Sequence, residues 1–101
     1  MKFLVSAAAL CLLASAQAAQ AADPYLARNL AATCANCHGT DGKAVKDSGI
    51  DALAGMEKVK LLQKLDDYRN GRKPATIMQQ IAKGYTDEQL GLIADYFAAQ
   101  K

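Results

Sequence analysis

The chain has 101 residues, room for one domain of ordinary size. Twelve Lys and Arg against ten Asp and Glu leave a net charge of +2. That surplus is too slight for non-specific nucleic-acid binding, and the basic residues are interspersed with acidic ones rather than gathered into a block.

Residues 1–22 read as an export signal. Lys2 precedes an apolar and small-residue stretch from Phe3 to Ala16, and both Ala16-Gln17-Ala18 and Ala19-Gln20-Ala21 satisfy the small-x-small cleavage rule. The run is shorter than the roughly 20 apolar residues that span a bilayer. The expected product begins between Ala19 and Asp23, loses Cys11 with the signal, has no stable membrane insertion, and resides in the periplasm. The remaining domain, residues 23–101, carries eleven basic and ten acidic groups. Domains of this size have thin cores and commonly need a staple such as a disulfide, a metal or a cofactor. The staple must come from Cys34, Cys37, His38 and a few Met.

The elements predicted for the domain are helices joined by Gly-marked loops. Asp23-Pro24 opens the first, with Asp at the N-cap and Pro at the first helical position. Leu26, Leu30 and Ala31 then repeat at helical spacing up to Cys34. Gly39 to Gly55 has no periodicity, and so long a loop in so small a domain is usually functional or wrapped around something. A second helix is expected from Glu57 to Asn70, with Val59, Leu62, Leu65 and Tyr68 on its apolar side and Gly71 as its stop. A short third follows Pro74, with Ile77, Met78 and Ile81 pointing one way. The last is the best punctuated. Thr86 and Gln89 form a capping box, Asp87 and Glu88 occupy its positive first turn, and Leu90, Ile93, Ala94 and Phe97 make its apolar stripe. No alternating strand pattern or internal repeat is present, so the fold class is all-α.

Cys34-Ala35-Asn36-Cys37-His38 is the C-x-x-C-H haem-attachment pattern. Two thiols with a two-residue gap span one edge of a haem and add across its two vinyl groups. The next residue, His38, is thereby brought under the iron, where Nε2 binds metal while Nδ1–H is held by a carbonyl. A thioredoxin-like redox pair would want a βαβ context, and a structural zinc site would need a second Cys/His pair; neither is present. A disulfide across so short a loop would constrain little. For the sixth iron position the candidates are Met78 and, more weakly, Met56. Met78 lies past a complete helix that can carry the chain to the far haem face, whereas Met56 sits at the start of that helix. Either methionine would equally suit a gap in the core.

Cys34–Gly39, then Leu53-Ala54-Gly55, then Tyr68-Arg69-Asn70-Gly71-Arg72, then Met78, then the run from Thr86 to Ala98 follow one another in an order that resembles the class I c-type cytochromes. The likeness is greatest to the short bacterial periplasmic monohaem kind, and residues 72–85 resemble the cytochrome subunit of flavocytochrome c sulfide dehydrogenases. The resemblance implies a small cytochrome c fold of about four helices wrapped around one covalently bound haem c. It implies first and last helices that cross, with Leu26 and Leu30 meeting Ile93, Tyr96 and Phe97. It implies Met78 as the axial ligand opposite His38, and Tyr68, Arg69 and Arg72 near the haem rim. The chain departs from the family at Asp51, where relatives usually carry a Pro whose carbonyl accepts the axial His Nδ1–H.

The function expected is outer-sphere transfer of single electrons, without enzymatic turnover by this chain. It would serve redox-protein partners either as a mobile carrier or as the haem subunit of an FAD-containing sulfide dehydrogenase. Lys43, Lys46, Lys58, Lys60 and Lys64 are candidate docking groups. A haem enzyme or gas-ligand sensor with an open sixth position would require Met78 off the iron and a distal acid–base group, and no second His exists to serve.

Overall fold

The computed structural model describes residues 23–101, so the expected export segment lies outside the described residues. Five helical segments follow: α1 (Leu26–Ala31), α2 (Ala35–His38), α3 (Lys58–Arg69), α4 (Met78–Lys83) and α5 (Asp87–Ala98). No strand occurs among the described residues, as the all-α reading requires. The first two segments are joined by a 3-10 turn, Ala32–Cys34, and helical dihedrals persist at Ala31, Cys34 and Ala35. The chain is therefore one helical path from 26 to 38, tightened in the middle.

Asp23 caps differently from the expectation. Its Oδ1 accepts from the Tyr25 N–H at 2.9 Å, so Pro24 and Tyr25 form a turn and the helix proper starts at Leu26. Gly39 stops the path at φ 86°, a region only glycine enters freely; a Cβ there would lie 2.0 Å from the Lys43 carbonyl oxygen. A second 3-10 turn, Thr40–Gly42, then opens the long loop.

The last helix is built as its sequence states. Thr86 Oγ1 accepts from Gln89 N–H at 3.1 Å and Gln89 Oε1 accepts from Thr86 N–H at 2.9 Å. Leu90, Ile93, Ala94 and Phe97 are all buried, and burying each of the three large side chains contributes about 1.5–3 kcal/mol. This helix is the hub. Against it pack α1 on one side and α3 on another, while α4 packs on α3.

Helix α3 owes less to its charges. Lys58 and Lys60 stand in its positive first turn and Asp66 and Asp67 near its negative end, the reverse of what the helix dipole favours. Packing of Leu61 and Leu65 holds it instead. Val59, expected on the buried side, is 79% exposed, and Leu61 takes that place. Leu26 is exposed as well, leaving Leu30 as the large side chain of α1 packed on the core. The short helix expected after Pro74 begins only at Met78, with Ile77 as its exposed N-cap and Ala82 fully buried.

The loop is anchored at its far end. The Gly42 carbonyl accepts from Leu53 N–H at 2.8 Å and Ala54 N–H at 3.1 Å, and Gly55 N–H donates to the Phe97 carbonyl at 2.9 Å. Tyr96 Oη donates to the Asp41 carboxylate, clamping the start of the same loop to α5.

Candidate functional site

Helical spacing sets Cys34 and Cys37 on one side of the path from 26 to 38, three residues apart. Both are free thiols, Cys34 half-buried and Cys37 exposed. They line a cleft of about 330 Å³ together with His38 and Met78, at the lower end of the range for small-molecule and cofactor sites. Its floor is hydrocarbon: Leu53, Leu61, Leu65, Ile81, Ile93 and Phe97. Residues 74–78 form a further wall, and Ile50 and Asp51 another. Met56 is not among the lining residues; it packs against the core instead.

His38 is oriented by the long loop. Its Nδ1–H donates to the Asp51 carbonyl oxygen at 2.6 Å, which leaves Nε2 as the nitrogen with a free lone pair. The carbonyl is thus supplied from the position where the family's proline is expected, without the proline. The Asp51 side chain is engaged elsewhere: Lys64 Nζ of α3 lies 3.4 Å from its Oδ2.

Burial pushes the Cys34 thiol above its ordinary pKa, with a backbone hydrogen bond pulling the other way. At neutral pH it is a protonated, weakly nucleophilic thiol in the folded chain.

Of the residues expected near the rim, Tyr68 lines the cleft, with Lys73 Nζ 5.3 Å from its ring centroid. Arg69 and Arg72 do not. Arg69 pairs with Asp66 at 3.2 Å and Asp87 at 2.6 Å, and Arg72 with Asp66 and with Asp67 at 3.0 Å. These ion pairs turn both guanidinium groups away from the cleft and hold the two carboxyls on α3 below the usual carboxylate range. The candidate docking lysines also divide: Lys58 pairs with Asp95 at 2.9 Å and Lys64 with Asp51. Sequence reasoning missed Lys64 and Ile50 as cleft residues and the Asp41–Tyr96 clamp. No spacing rule joins residues so far apart in the chain.

The donor set fits a covalently attached haem. Two free thiols stand one turn apart, an imidazole has one nitrogen already committed to a carbonyl, and a thioether enters from a separate segment, all over an apolar floor. Among the described residues no group of three or more His, Cys, Asp or Glu is placed to hold a bare metal ion. No helix among them is long and apolar enough to cross a membrane.

Comparison with known proteins agrees with that chemistry. Residues 26–101 match the family model described as cytochrome c. The chain is 43% identical over 68 residues to the cytochrome subunit of sulfide dehydrogenase of Chlorobaculum tepidum, covering 67% of this chain and 60% of that protein. It is 37% identical over 94 residues to a thiosulfate dehydrogenase electron acceptor of Stutzerimonas stutzeri, covering 90% of this chain and 44% of that one. To cytochrome c-554(548) of Halomonas halodenitrificans it is 33% identical over 72 residues, 68% of this chain and 86% of the relative. The chain thus spans 60% and 44% of the length of the first two relatives, under two thirds in both cases.

Proposed function

The chain belongs to the cytochrome c family, and from that membership we propose that it is an exported one-electron carrier with its haem joined to Cys34 and Cys37 and held between His38 and Met78. It binds haem c covalently and transfers electrons rather than converting a substrate. Bound haem supplies a one-electron iron couple.

The chain's own residues do the rest. The Cys34 and Cys37 thiols would hold the haem, each S–H adding across one vinyl group so that sulfur would bond one carbon and the hydrogen the other. Asp51 O holds the His38 Nδ1–H, which directs Nε2 to the metal and raises its basicity. Met78 offers a soft thioether, which raises the reduction potential relative to a second imidazole. Leu61, Leu65, Ile93 and Phe97 line the cleft with hydrocarbon that would exclude water around a bound haem.

One observation carries this reading: Met78 lines the same cleft as Cys34, Cys37 and His38, and Met56 does not. If His38 and Met78 were both to hold the iron, it would be left to electron transfer rather than to substrate or gas binding. Optical spectra of the oxidised and reduced protein test it. The weak near-infrared band of Met-ligated ferric haem is expected in the wild type and in Met56→Ala, and lost in Met78→Ala. A wild-type protein lacking that band would favour an open iron site instead.

For the donor, the sulfide dehydrogenase and thiosulfate dehydrogenase relatives support an electron-yielding dehydrogenase of inorganic sulfur compounds. The specific case we favour is an FAD-containing sulfide dehydrogenase subunit, met in the periplasm after residues 1–22 are removed. Affinity purification of the tagged, exported chain from its native cell is expected to bring down a larger yellow flavoprotein. Recovery of the haem protein alone would make it a mobile carrier.

A further inference from the structure

Asp51 has two jobs in one residue. Its carbonyl holds the His38 ring at 2.6 Å, and its carboxylate meets Lys64 Nζ at 3.4 Å. The segment that presents this carbonyl has little else to fix it. Between Val45 and Ile50 its only hydrogen bonds are internal, from Ser48 N–H to the Val45 carbonyl and from Ile50 N–H to Ser48 Oγ. Firm anchorage resumes at Leu53, beyond the residue that matters. Among the described residues, the Lys64 contact is the one polar link from 43–52 to helix α3. Lys64 is itself well placed to act as a post. It stands on the same helix as Leu61 and Leu65, which are buried in the core, and its side chain is only 27% exposed.

We propose that Lys64 is a positioning residue for His38: by holding the Asp51 side chain it fixes the carbonyl that orients the imidazole. In this chain an ion pair to a rigid helix thereby supplies the stiffness that a proline ring would otherwise give the loop. The inference rests on the reading of His38 as the iron ligand. It makes Lys64 more than a docking charge, because its effect is transmitted through a neutral hydrogen bond.

That distinction decides the test. If Lys64 and Asp51 acted only as charges near the haem, Lys64→Met and Asp51→Ala would shift the reduction potential in opposite directions. They would also leave the His38 ring proton untouched. If the pair positions the carbonyl, either substitution loosens the Nδ1–H···O bond. Exchange of that proton with solvent, followed by NMR in the haem-loaded protein, then quickens about two- to fivefold, the equivalent of an exposed pair's usual worth. The double variant removes the pair without changing net charge. It is expected to show the same acceleration as either single one, and a potential raised because the imidazole donates less. Lys58→Met with Asp95→Asn removes the other lysine pair, at 2.9 Å and without contact to His38, and is expected to leave exchange unchanged. Exchange at the wild-type rate in the double variant overturns the proposal, as does equal acceleration in the Lys58 control. A wild-type protein without a protected His38 Nδ1–H would overturn the ligand assignment itself, and so is told apart from failure of the pair.

Discussion

Gly42 and Gly71 have nearly the same φ, 76° and 72°, and opposite surroundings. At Gly42 a Cβ would meet Phe97 Cδ1 at 2.7 Å, Ala54 N at 2.8 Å and Leu53 Cβ at 3.0 Å; at Gly71 it would meet nothing within 4 Å. Alanine at either position incurs the left-handed backbone cost, about 1–2 kcal/mol. Only at Gly42 does it also force an overlap, and none of the three atoms can swing aside. Phe97 is 1% exposed, and Ala54 N–H is bonded to the Gly42 carbonyl itself. Overpacking of this kind adds about 1–3 kcal/mol. Gly71→Ala is therefore expected to cost about 1–2 kcal/mol and Gly42→Ala about 2–5 kcal/mol. In a domain of this size each kcal/mol lowers Tm by about 4–8 °C, so the two melting curves should separate clearly. Thermal unfolding of the haem-loaded protein, followed in parallel by far-ultraviolet circular dichroism and haem absorbance, reads both. Equal losses in the two variants would refute the claim that Gly42 is required by close packing against Phe97 and Ala54.

Hydrogen bonds from Arg72 are the first cause of the lowered Asp66 and Asp67 pKa values. A carboxyl depressed on folding stabilises above its unfolded value, near 4, and loses that contribution as pH falls through the folded value. The stability gap between wild type and Arg72→Met, read as urea midpoints, is thus expected at pH 7 and should begin to close below about pH 4, shrinking as pH falls through the lowered folded values; a gap unchanged at low pH would contradict the ion pairs. Tyr96 is raised, chiefly by its hydrogen bond to Asp41. Its contribution is complete below about 10 and lost as pH climbs through the higher folded value, so the Tyr96→Phe deficit should hold from neutral pH to about 10 and then shrink. Cys34→Ala with Cys37→Ala is expected to lose most helical circular dichroism. Leu61, Leu65, Ile93 and Phe97 face the cleft that haem fills, and without it they face water. A near-native helical signal would show that the polypeptide core suffices alone.

The haem motif and the last helix were legible because both are local. A C-x-x-C-H run and a capping box need no partner beyond their own turn. On α3 the expected Leu62, Leu65 and Tyr68 do pack on the core, and only Val59 was misplaced, for a geometric reason. Residues three apart advance about 300° around a helix, so the series drifts by about 60° per step and Val59 ends about 180° from Tyr68. Leu61, Leu65 and Tyr68, spaced four and three, stay together and face the cleft. Arg69 and Arg72 were placed at the rim because their motif resembles one found there. Their actual partners, Asp66, Asp67 and Asp87, include one from another helix, and composition carries no sign of that. Asp51 was harder still, since every residue owns a carbonyl and its type says nothing of where that carbonyl points.

The two proposed axial residues are held by different means. His38 belongs to the helical path that α5 buttresses through α1, and its ring is fixed again by Asp51. Met78 opens a six-residue helix that packs on α3, and it is delivered by residues 70–77. That delivering segment is tied back at its start: Arg72 N–H and Lys73 N–H both donate to the Asp67 carbonyl, at 2.8 and 3.3 Å, while the Arg72 guanidinium clasps Asp66 and Asp67. Arg72, absent from the cleft lining, thus acts on the loop that brings Met78 into it. Its bonds are exposed, and exposed ion pairs are individually weak. If His38 and Met78 hold the iron as proposed, the covalent attachment beside His38 and the surface ion pairs behind Met78 predict that the Met78 side gives way first, read in urea as loss of the near-infrared methionine band before helical circular dichroism.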